Sequence, residues 1–298
     1  MSGCSAVLLA AGASRRLGFD KILSPLAGKP VLLHALEALD RSAGITDIVL
    51  VSREDTADAV TRLAAGAGLR KPWKVVAGGK ERQDSVWNGI RASAPSDFVL
   101  IHDAARPLLD VSMVETLLAA ARESGAVICG RPATDTLKVA DAEGRIESTV
   151  DRTKFWQVET PQVFRRDLIE RAYREVQEQG IAITDDASAV ERLGEPVKIV
   201  TAGAFNLKIT RPADWQLLEL WLTFQRGSEF RKAVHQLANQ ASPLLGYLPL
   251  LEKYGGQDPK FAAYLGKCLT ASQGLEASVR VLQETVHRLE KDKNEPPA

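Results

Sequence analysis

No apolar run in the chain approaches the ~18 residues that a membrane-spanning helix needs, so no segment is read as crossing a bilayer. Cysteine is scarce: Cys4, Cys129 and Cys268 lie far apart and form neither a CxxC pair nor a disulfide framework, which fits a reduced, cytoplasmic setting. Neither sign of charge is in excess, because 38 Lys and Arg balance 38 Asp and Glu. The molecule therefore lacks the overall field that draws a protein to nucleic acid or to an anionic membrane, and any anion site must be local. GxGxxG and GxxxxGK[ST] are both absent, which argues against a dinucleotide-binding Rossmann domain and against a P-loop. His34, His235 and His287 sit in amphipathic patterns with no metal-ligand spacing. The first strand is expected to begin at about Ala6, leaving no room for a signal or transit peptide, so the mature chain is expected to start here.

What is present is the composition of a globular protein, 45% hydrophobic and 26% charged. Its 298 residues suffice for one large α/β domain with an appendage or for two ordinary domains. Apolar runs of strand length recur at 5–11, 47–52, 73–78, 97–103 and 125–132. Between them, the stretches 30–42, 56–68, 84–93 and 111–124 return apolar residues at three and four, the period of a helix. This βαβα alternation with continuous apolar strands predicts a mostly parallel sheet covered on both faces, in which ligands bind beyond the carboxyl ends of the strands. The rhythm breaks at 133–162, where "DTLKVADAEGRIESTVD" alternates with period two around a turn-like "DAEGR". That pattern predicts a β-hairpin arm, either a surface flap or a limb that packs on a second subunit. A helix at 165–180, a loop "ITDDAS", a short strand "PVKIVTAG" and a last strand-to-helix segment "NLKITRPADWQLLELWL" follow. Beyond about Gln225 the tail reads as helical, with Leu275, Val279, Leu282, Val286 and Leu289 in heptad-like spacing, and packing on its own domain and oligomerisation both remain open.

Three clusters follow strands and could carry chemistry. In "AAGASRRLGFDK", Ala10, Ala11 and Gly12 let the backbone approach a ligand, successive amides can cradle phosphate oxygens, and Arg16 and Lys21 add positive charge; alone, it is equally an ordinary strand-to-helix turn. "IHDAARP" places His102, Asp103 and Arg106 after another apolar strand, where a carboxylate can hold a metal ion or a sugar hydroxyl, or simply cap the next helix. In "GGKERQDSV", Gly78 and Gly79 permit packing on a flat ring and Ser85 can hydrogen-bond a base edge. Asp84 reads as the N-cap of the next helix, with Lys80 and Glu81 as solvated loop residues.

Taken in order with "DTLK", "TVDR", "ETPQVF", "ITDDAS" and "NLKITRPAD", these motifs make residues 5 to about 224 resemble the 2-C-methyl-D-erythritol 4-phosphate cytidylyltransferases, CTP-using enzymes of non-mevalonate isoprenoid synthesis. The resemblance implies a Rossmann-like nucleotidyltransferase sheet with a protruding β-arm through which two subunits pair, over residues 1–225. Residues 226–298 would form a helical extension of unassigned role, too short for the cyclodiphosphate synthase domain sometimes fused to this enzyme. By motif position, Arg16 and Lys21 would bind the triphosphate of CTP and stabilise charge on the α-phosphate. Ala10, Ala11, Gly12, Gly79 and Ser85 would surround cytosine and ribose. Asp103, Arg106, Thr184 and Lys208 would face methylerythritol phosphate and the reacting centre, and Thr136 and Arg152 on the arm would reach the neighbouring subunit's site. The nucleophile is a phosphate monoester, largely ionised at neutral pH, so no Ser-His-Asp or Cys-His device is needed and none is evident. The reaction needs two anions held in line and cations around them. Arg16, Lys21, Lys208 and Mg²⁺ would supply these, with Arg152 gripping the acceptor phosphate and Asp103 near the metal ion. His102 reads as structural. Two positions depart from the family's pattern: Asp20 and Ile22 flank Lys21 where Pro and Gln are usual, which bears on the rigidity of the loop and leaves the lysine in place. A ribitol 5-phosphate cytidylyltransferase is the nearest rival; a nicotinamide-dependent oxidoreductase and an inactive binding scaffold are rivals of other classes.

Overall fold

The computed structural model describes residues 3–12, 17–201, 206–226, 265–268 and 270. β1 (Cys4–Leu9) is buried along its whole length. A small hairpin of β2 (Pro25–Leu26) and β3 (Lys29–Pro30) leads into α1 (Val31–Arg41) and β4 (Ile45–Ser52). Then come α2 (Ala57–Gly66), β5 (Trp73–Ala77), α3 (Arg82–Ala92), β6 (Phe98–Asp103), α4 (Val111–Ser124) and β7 (Ala126–Pro132). The sheet orders its strands as the apolar runs require for a doubly covered layer. β1 lies between β6 and β4, parallel to both, with Val7 opposite Val49 and Ile101, and β4 pairs in parallel with β5.

Alternate residues divide between the two faces. Val7, Val49, Val51, Val99 and Ile101 join Val86 and Ile90 of α3 in one core cluster, while Leu8, Leu50 and Leu100 are buried on the side of α1 and α4. In α1, the buried Val31, Leu32, Ala35, Leu36 and Leu39 form one stripe; truncating one of its leucines to alanine costs about 2–5 kcal/mol. Gly89 lets α3 lie close on the sheet, because a Cβ there would stand 2.4 Å from Val7 Cγ1. That closeness holds the start of α3 over the strand ends.

After β7 the chain makes the arm, β8 (Lys138–Ala140) and β9 (Ile146–Thr149), paired antiparallel. At its turn the Asp141 carboxylate accepts the amides of Glu143 and Arg145. The arm is shorter than the alternation at 133–162 predicts. β10 (Trp156–Arg165) returns into the main sheet, antiparallel between β6 and β7, with Thr160 to Phe164 buried. A glutamine in this stretch argues against a core strand, yet Gln162 is satisfied there: its amide donates to Asp185 at 3.1 Å and its carbonyl accepts Ala187 N–H at 3.1 Å. α5 (Arg166–Glu178) adds Leu168, Ile169 and Tyr173 to the core cluster.

Two other expectations change. "ITDDAS" is not a loop throughout, because Asp185 caps a helix, α6 (Asp186–Arg192), accepting Ser188 N–H at 3.1 Å while Ala187, Ala189 and Val190 are buried. β11 (Lys198–Val200) completes the sheet, order β11-β7-β10-β6-β1-β4-β5. The strand expected at "NLKIT" is absent: residues 206–210 join no ladder, and Ile209 N–H bonds singly to Ala105 O. α7 (Pro212–Arg226) follows, its first turn fixed by Asp214, whose carboxylate accepts the amides of Thr210 and Arg211. The chain divides into two compact units, Met1–Leu218 and Glu219–Ala298. In the second, the described residues are the end of α7 and helical residues 265–268 and 270, with Cys268 buried. The heptad-like stretch from Leu275 lies outside the described residues.

Candidate active site

Parallel strands that end together bring their following loops to one edge. β1 runs into Ala10, whose N–H donates to Val51 O at 2.7 Å, then Ala11 and Gly12; among the described residues a Cβ on Gly12 would meet nothing within 4 Å. β5 leads to Gly79, where a Cβ would lie 2.2 Å from Asp84 Cβ, so only glycine lets α3 begin so near. Ser85 holds this turn: its hydroxyl accepts Gly79 N–H at 3.0 Å and donates to Glu81 O at 3.2 Å. The helix starts at Arg82, with Asp84 reaching back to accept Glu81 N–H at 3.0 Å, rather than being capped by Asp84 itself. Ala11, Gly12, Gly79 and Ser85 line a cleft of about 290 Å³ with Lys21, Asp103 and Lys208. Lys80 and Glu81 line it too, as exposed residues.

Asp103, at the end of β6, is the electrostatic centre. Its Oδ2 accepts Lys208 Nζ at 2.5 Å and its Oδ1 faces Arg82 Nε at 3.3 Å. Burial alone would raise this carboxyl, but Arg82 and Lys208 outweigh it and hold the group well below the usual carboxylate range. Arg82 also forks onto the fully buried Asp186, both bonds at 2.9 Å, and Tyr173 O–H donates to Asp186 Oδ1 at 2.6 Å. Burial would lower the Arg82 guanidinium, and the two carboxylates more than reverse that. Behind them, Tyr173 stacks on Trp87 with ring centroids 6.0 Å apart. Lys21 enters from the other side, its Nζ donating to Ile209 O at 2.7 Å.

His102 is buried and reads as a brace. Thr160 Oγ1 accepts Asp103 N–H at 3.0 Å and so donates its own proton to His102 Nδ1 at 3.2 Å; Nε2–H then donates to Arg106 O at 3.1 Å. Burial pushes the imidazole down to about 4, so it is neutral at physiological pH and fixes the turn of "HDAARP".

Of the residues singled out in the sequence, Ala11, Gly12, Lys21, Gly79, Ser85, Asp103 and Lys208 come together in the cleft, with Ala10 buried directly behind. Arg106 does not line it: its NH1 donates to Asn206 O at 2.6 Å and stands 4.0 Å from Glu159, and among the described residues its buried Nε has no partner, nor has Asn206 Oδ1. Thr184 is exposed and outside the cleft lining. Thr136 and Arg152 are exposed on the arm, Arg152 donating to Thr134 O, and neither lines the cleft of its own chain. Arg16 lies outside the described residues. Arg82, Asp186 and Tyr173 were missed; the first two stood within "GGKERQDSV" and "ITDDAS", opposite charges in two segments that the topology brings together. Among the described residues no three His, Cys, Asp or Glu side chains form a metal cluster.

The arrangement suits a highly charged anion: a floor of small residues and a ring of cations around buried Asp103, with the exposed Glu81 as the second carboxylate of the lining. Comparison with known proteins gives the same direction. The family description "IspD: 2-C-methyl-D-erythritol 4-phosphate cytidylyltransferase" matches residues 4–224. The chain belongs to that family. It is therefore an enzyme of the nucleotidyltransferase class. Among its relatives, the 2-C-methyl-D-erythritol 4-phosphate cytidylyltransferase of Dehalococcoides mccartyi strain 195 is 44% identical over 218 residues, covering 73% of this chain and 95% of the relative. That of Caldanaerobacter subterraneus is 41% identical over 222 residues, covering 73% and 98%. The crystal structure of 4-diphosphocytidyl-2C-methyl-D-erythritol synthase from Anaerococcus prevotii superimposes with a TM-score of 0.67 at 28% identity, covering 74% of this chain and 98% of that one. The mostly parallel sheet with flanking helices is thus the family's fold, and the residues beyond 224 lie outside the family match.

Proposed function

We propose that the cleft beyond β1, β5 and β6 is where this chain carries out its family's reaction. The enzyme transfers the cytidylyl group of CTP to 2-C-methyl-D-erythritol 4-phosphate, releasing pyrophosphate and forming 4-diphosphocytidyl-2-C-methyl-D-erythritol. The observation that carries the assignment to this cleft is its floor of Ala11, Gly12 and Gly79 ringed by Lys21, Arg82 and Lys208. A flat pyrimidine and its ribose would rest against Ala10, Ala11, Gly12 and Gly79, with Ser85 fixing the turn that closes on the base and excludes the larger purines. The triphosphate would then lie toward Lys21 and Arg16. Attack by the acceptor's phosphate oxygen brings two anions together, and the chain's part is to hold them in line and neutralise the charge that grows on the α-phosphate and the departing pyrophosphate. Lys21 would donate to those oxygens in exchange for the Ile209 carbonyl. Lys208, held by Asp103, would face the reacting centre. No proton has to be removed from the nucleophile, consistent with a neutral, fully engaged His102.

A divalent cation, Mg²⁺ by its liking for phosphate oxygens and few protein ligands, suits this site as a companion of the triphosphate rather than as a resident ion. The donor set fits that use: Asp103 stands among cations, Glu81 is the other carboxylate of the lining, and among the described residues no three potential ligands form a cluster. Bound to the nucleotide, the ion supplies charge neutralisation. On the acceptor side, Asp103 and Arg106 would take the polyol, with Thr184 at the rim. Thr136 and Arg152 would grip the acceptor phosphate in the site of a second subunit. Such pairing is supported by Val139 and Ile146 of the arm with Phe155, Trp156 and Val158 at the start of β10, each at least 40% exposed. The three cysteines, far apart in the sequence, suit a reducing cytoplasm, and no helix among the described residues is long and apolar enough to cross a membrane.

Steady-state kinetics of Lys21→Ala test the assignment. Charge is greatest in the transition state, so turnover is expected to fall ~10²-fold or more with little change in CTP affinity. A raised KM for CTP with unchanged kcat would overturn Lys21's role.

A further inference from the structure

The two ends of the segment between β1 and Lys21 meet on one side chain that has no part in the roles above. Arg53, immediately after β4, donates from NH1 to Gly12 O at 3.0 Å and from NH2 to Asp20 Oδ2 at 2.8 Å, while its Nε donates to Asp55 at 2.9 Å. The other oxygen of Asp20 accepts the amides of Ile22 at 3.0 Å and Leu23 at 3.4 Å, and Asp20 O accepts from Ser24 N–H and Oγ. One carboxylate therefore fixes the turn on which Lys21 rides and joins it to Arg53. Gly12 and Lys21 both line the cleft, whereas Arg53 and Asp20 do not. The Arg53–Asp20 pair is three-quarters shielded, at 26% and 23% exposure, so it is screened less than a surface pair. A planar guanidinium can hold a carbonyl and a carboxylate at once with fixed geometry; an ammonium is a single point of charge.

We propose that Arg53 is a positioning residue for the transfer reaction: it ties Gly12 to the turn at Asp20 and so sets the spacing of Gly12 and Lys21 across the cleft. The clamp rests on the assignment of this cleft to CTP. Its physical effect is preorganisation, because Gly12 and Lys21 already held at a fixed spacing lose less freedom when the nucleotide arrives. It acts on the nucleotide side alone; the acceptor's residues, Asp103, Arg106 and Lys208, are held by other contacts. The clamp also answers the departure at Asp20: an ion pair and two amide bonds stiffen the approach to Lys21, with no proline before it.

The test is CTP binding by calorimetry without acceptor, together with KM for each substrate, in Arg53→Ala, Arg53→Lys, Asp20→Asn and the double variant Arg53→Ala/Asp20→Asn. Asparagine keeps an oxygen for Ile22 and Leu23 and loses the charge facing Arg53. Arg53→Ala and Asp20→Asn are each expected to weaken CTP binding about tenfold, on the scale of losing hydrogen bonds to a charged group. The double variant should be no weaker than the worse single one, Arg53→Lys should not restore affinity, and the acceptor's KM should stay within about twofold. If Arg53→Ala melts far below the parent enzyme, Asp20→Asn carries the same test on an intact fold. Unchanged CTP affinity in Asp20→Asn, effects that multiply in the double variant, or an equal rise in the acceptor's KM would overturn the clamp. Lys21→Ala in the same series separates the two readings: if it loses turnover while the clamp variants behave as the parent, the clamp alone fails. If it too leaves turnover and binding intact, the assignment of the cleft fails.

Discussion

Arg82→Met would strip the site of the cation that joins two buried carboxylates. The guanidinium bonds at 2.9 and 2.9 Å to Asp186, which has no exposed surface, and at 3.3 Å to Asp103. Methionine keeps much of the packing of the stem and none of the charge, so Asp186 is left with Tyr173 and Asp103 with Lys208. Removing one partner of a buried pair costs about 3–5 kcal/mol. Because the Arg82 side chain is 33% exposed, solvent screening puts the cost at the lower end, about 3 kcal/mol. In a folded unit of this size that corresponds to a fall in Tm of roughly 6–12 °C. The assay is thermal unfolding followed by circular dichroism at about pH 7.5, repeated in steps from about pH 4 down to about pH 2. The sign of the pH dependence follows from Asp103, whose folded carboxyl is held below its ordinary value. Its contribution is complete above the ordinary carboxylate range and is lost as pH falls through that range toward the folded value. With Arg82 gone that contribution is smaller from the outset, so the gap between variant and parent should narrow on acidification below about pH 4. A Tm within about 2 °C of the parent's at neutral pH, given the per-kilocalorie shift expected for this size, or a gap that widens in acid, would refute the account of this network.

Other expectations are equally direct. Gly79→Ala places a Cβ 2.2 Å from Asp84 Cβ, so the turn must shift; CTP binding measured by calorimetry should weaken by about tenfold or more, and unchanged binding would remove this wall from the nucleotide site. Because burial pushes His102 down to about 4, its ring proton resonances should not titrate between about pH 5.5 and 8. A midpoint inside that window would contradict the brace described for it. Mixing inactive Arg152→Ala with inactive Lys21→Ala should restore activity as subunits exchange, since some mixed dimers carry one intact site; no recovery under proven exchange would place Arg152 outside the partner's site.

The strands and helices of the parallel half were legible because fully buried strands show as continuous apolar runs and their helices as stripes at three and four; β1, β4 to β7 and α1 to α4 fall within a few residues of the expected limits. β10 was hidden because its buried length is short and contains Thr160 and Gln162, whose polar groups are satisfied by partners distant in sequence. α6 was read as a loop because its aspartates and serine look like turn residues, and only the capping bond of Asp185 and the burial of Val190 decide for helix. Half of the site was legible for a related reason. Small residues and cations after a strand are a local signal, whereas Arg82, Asp186 and Arg53 act through pairings between segments, such as the 104 positions between Arg82 and Asp186.

The central claim, that this cleft transfers a cytidylyl group to methylerythritol phosphate, is tested most directly by pyrophosphate release. CTP and Mg²⁺ would be supplied with methylerythritol phosphate or with ribitol 5-phosphate, using the parent enzyme and Lys21→Ala. The account expects release from the parent enzyme that depends on methylerythritol phosphate, little with ribitol 5-phosphate, and a fall of ~10²-fold with Lys21→Ala. Preference for ribitol 5-phosphate, release without any acceptor, or full activity of Lys21→Ala would contradict it.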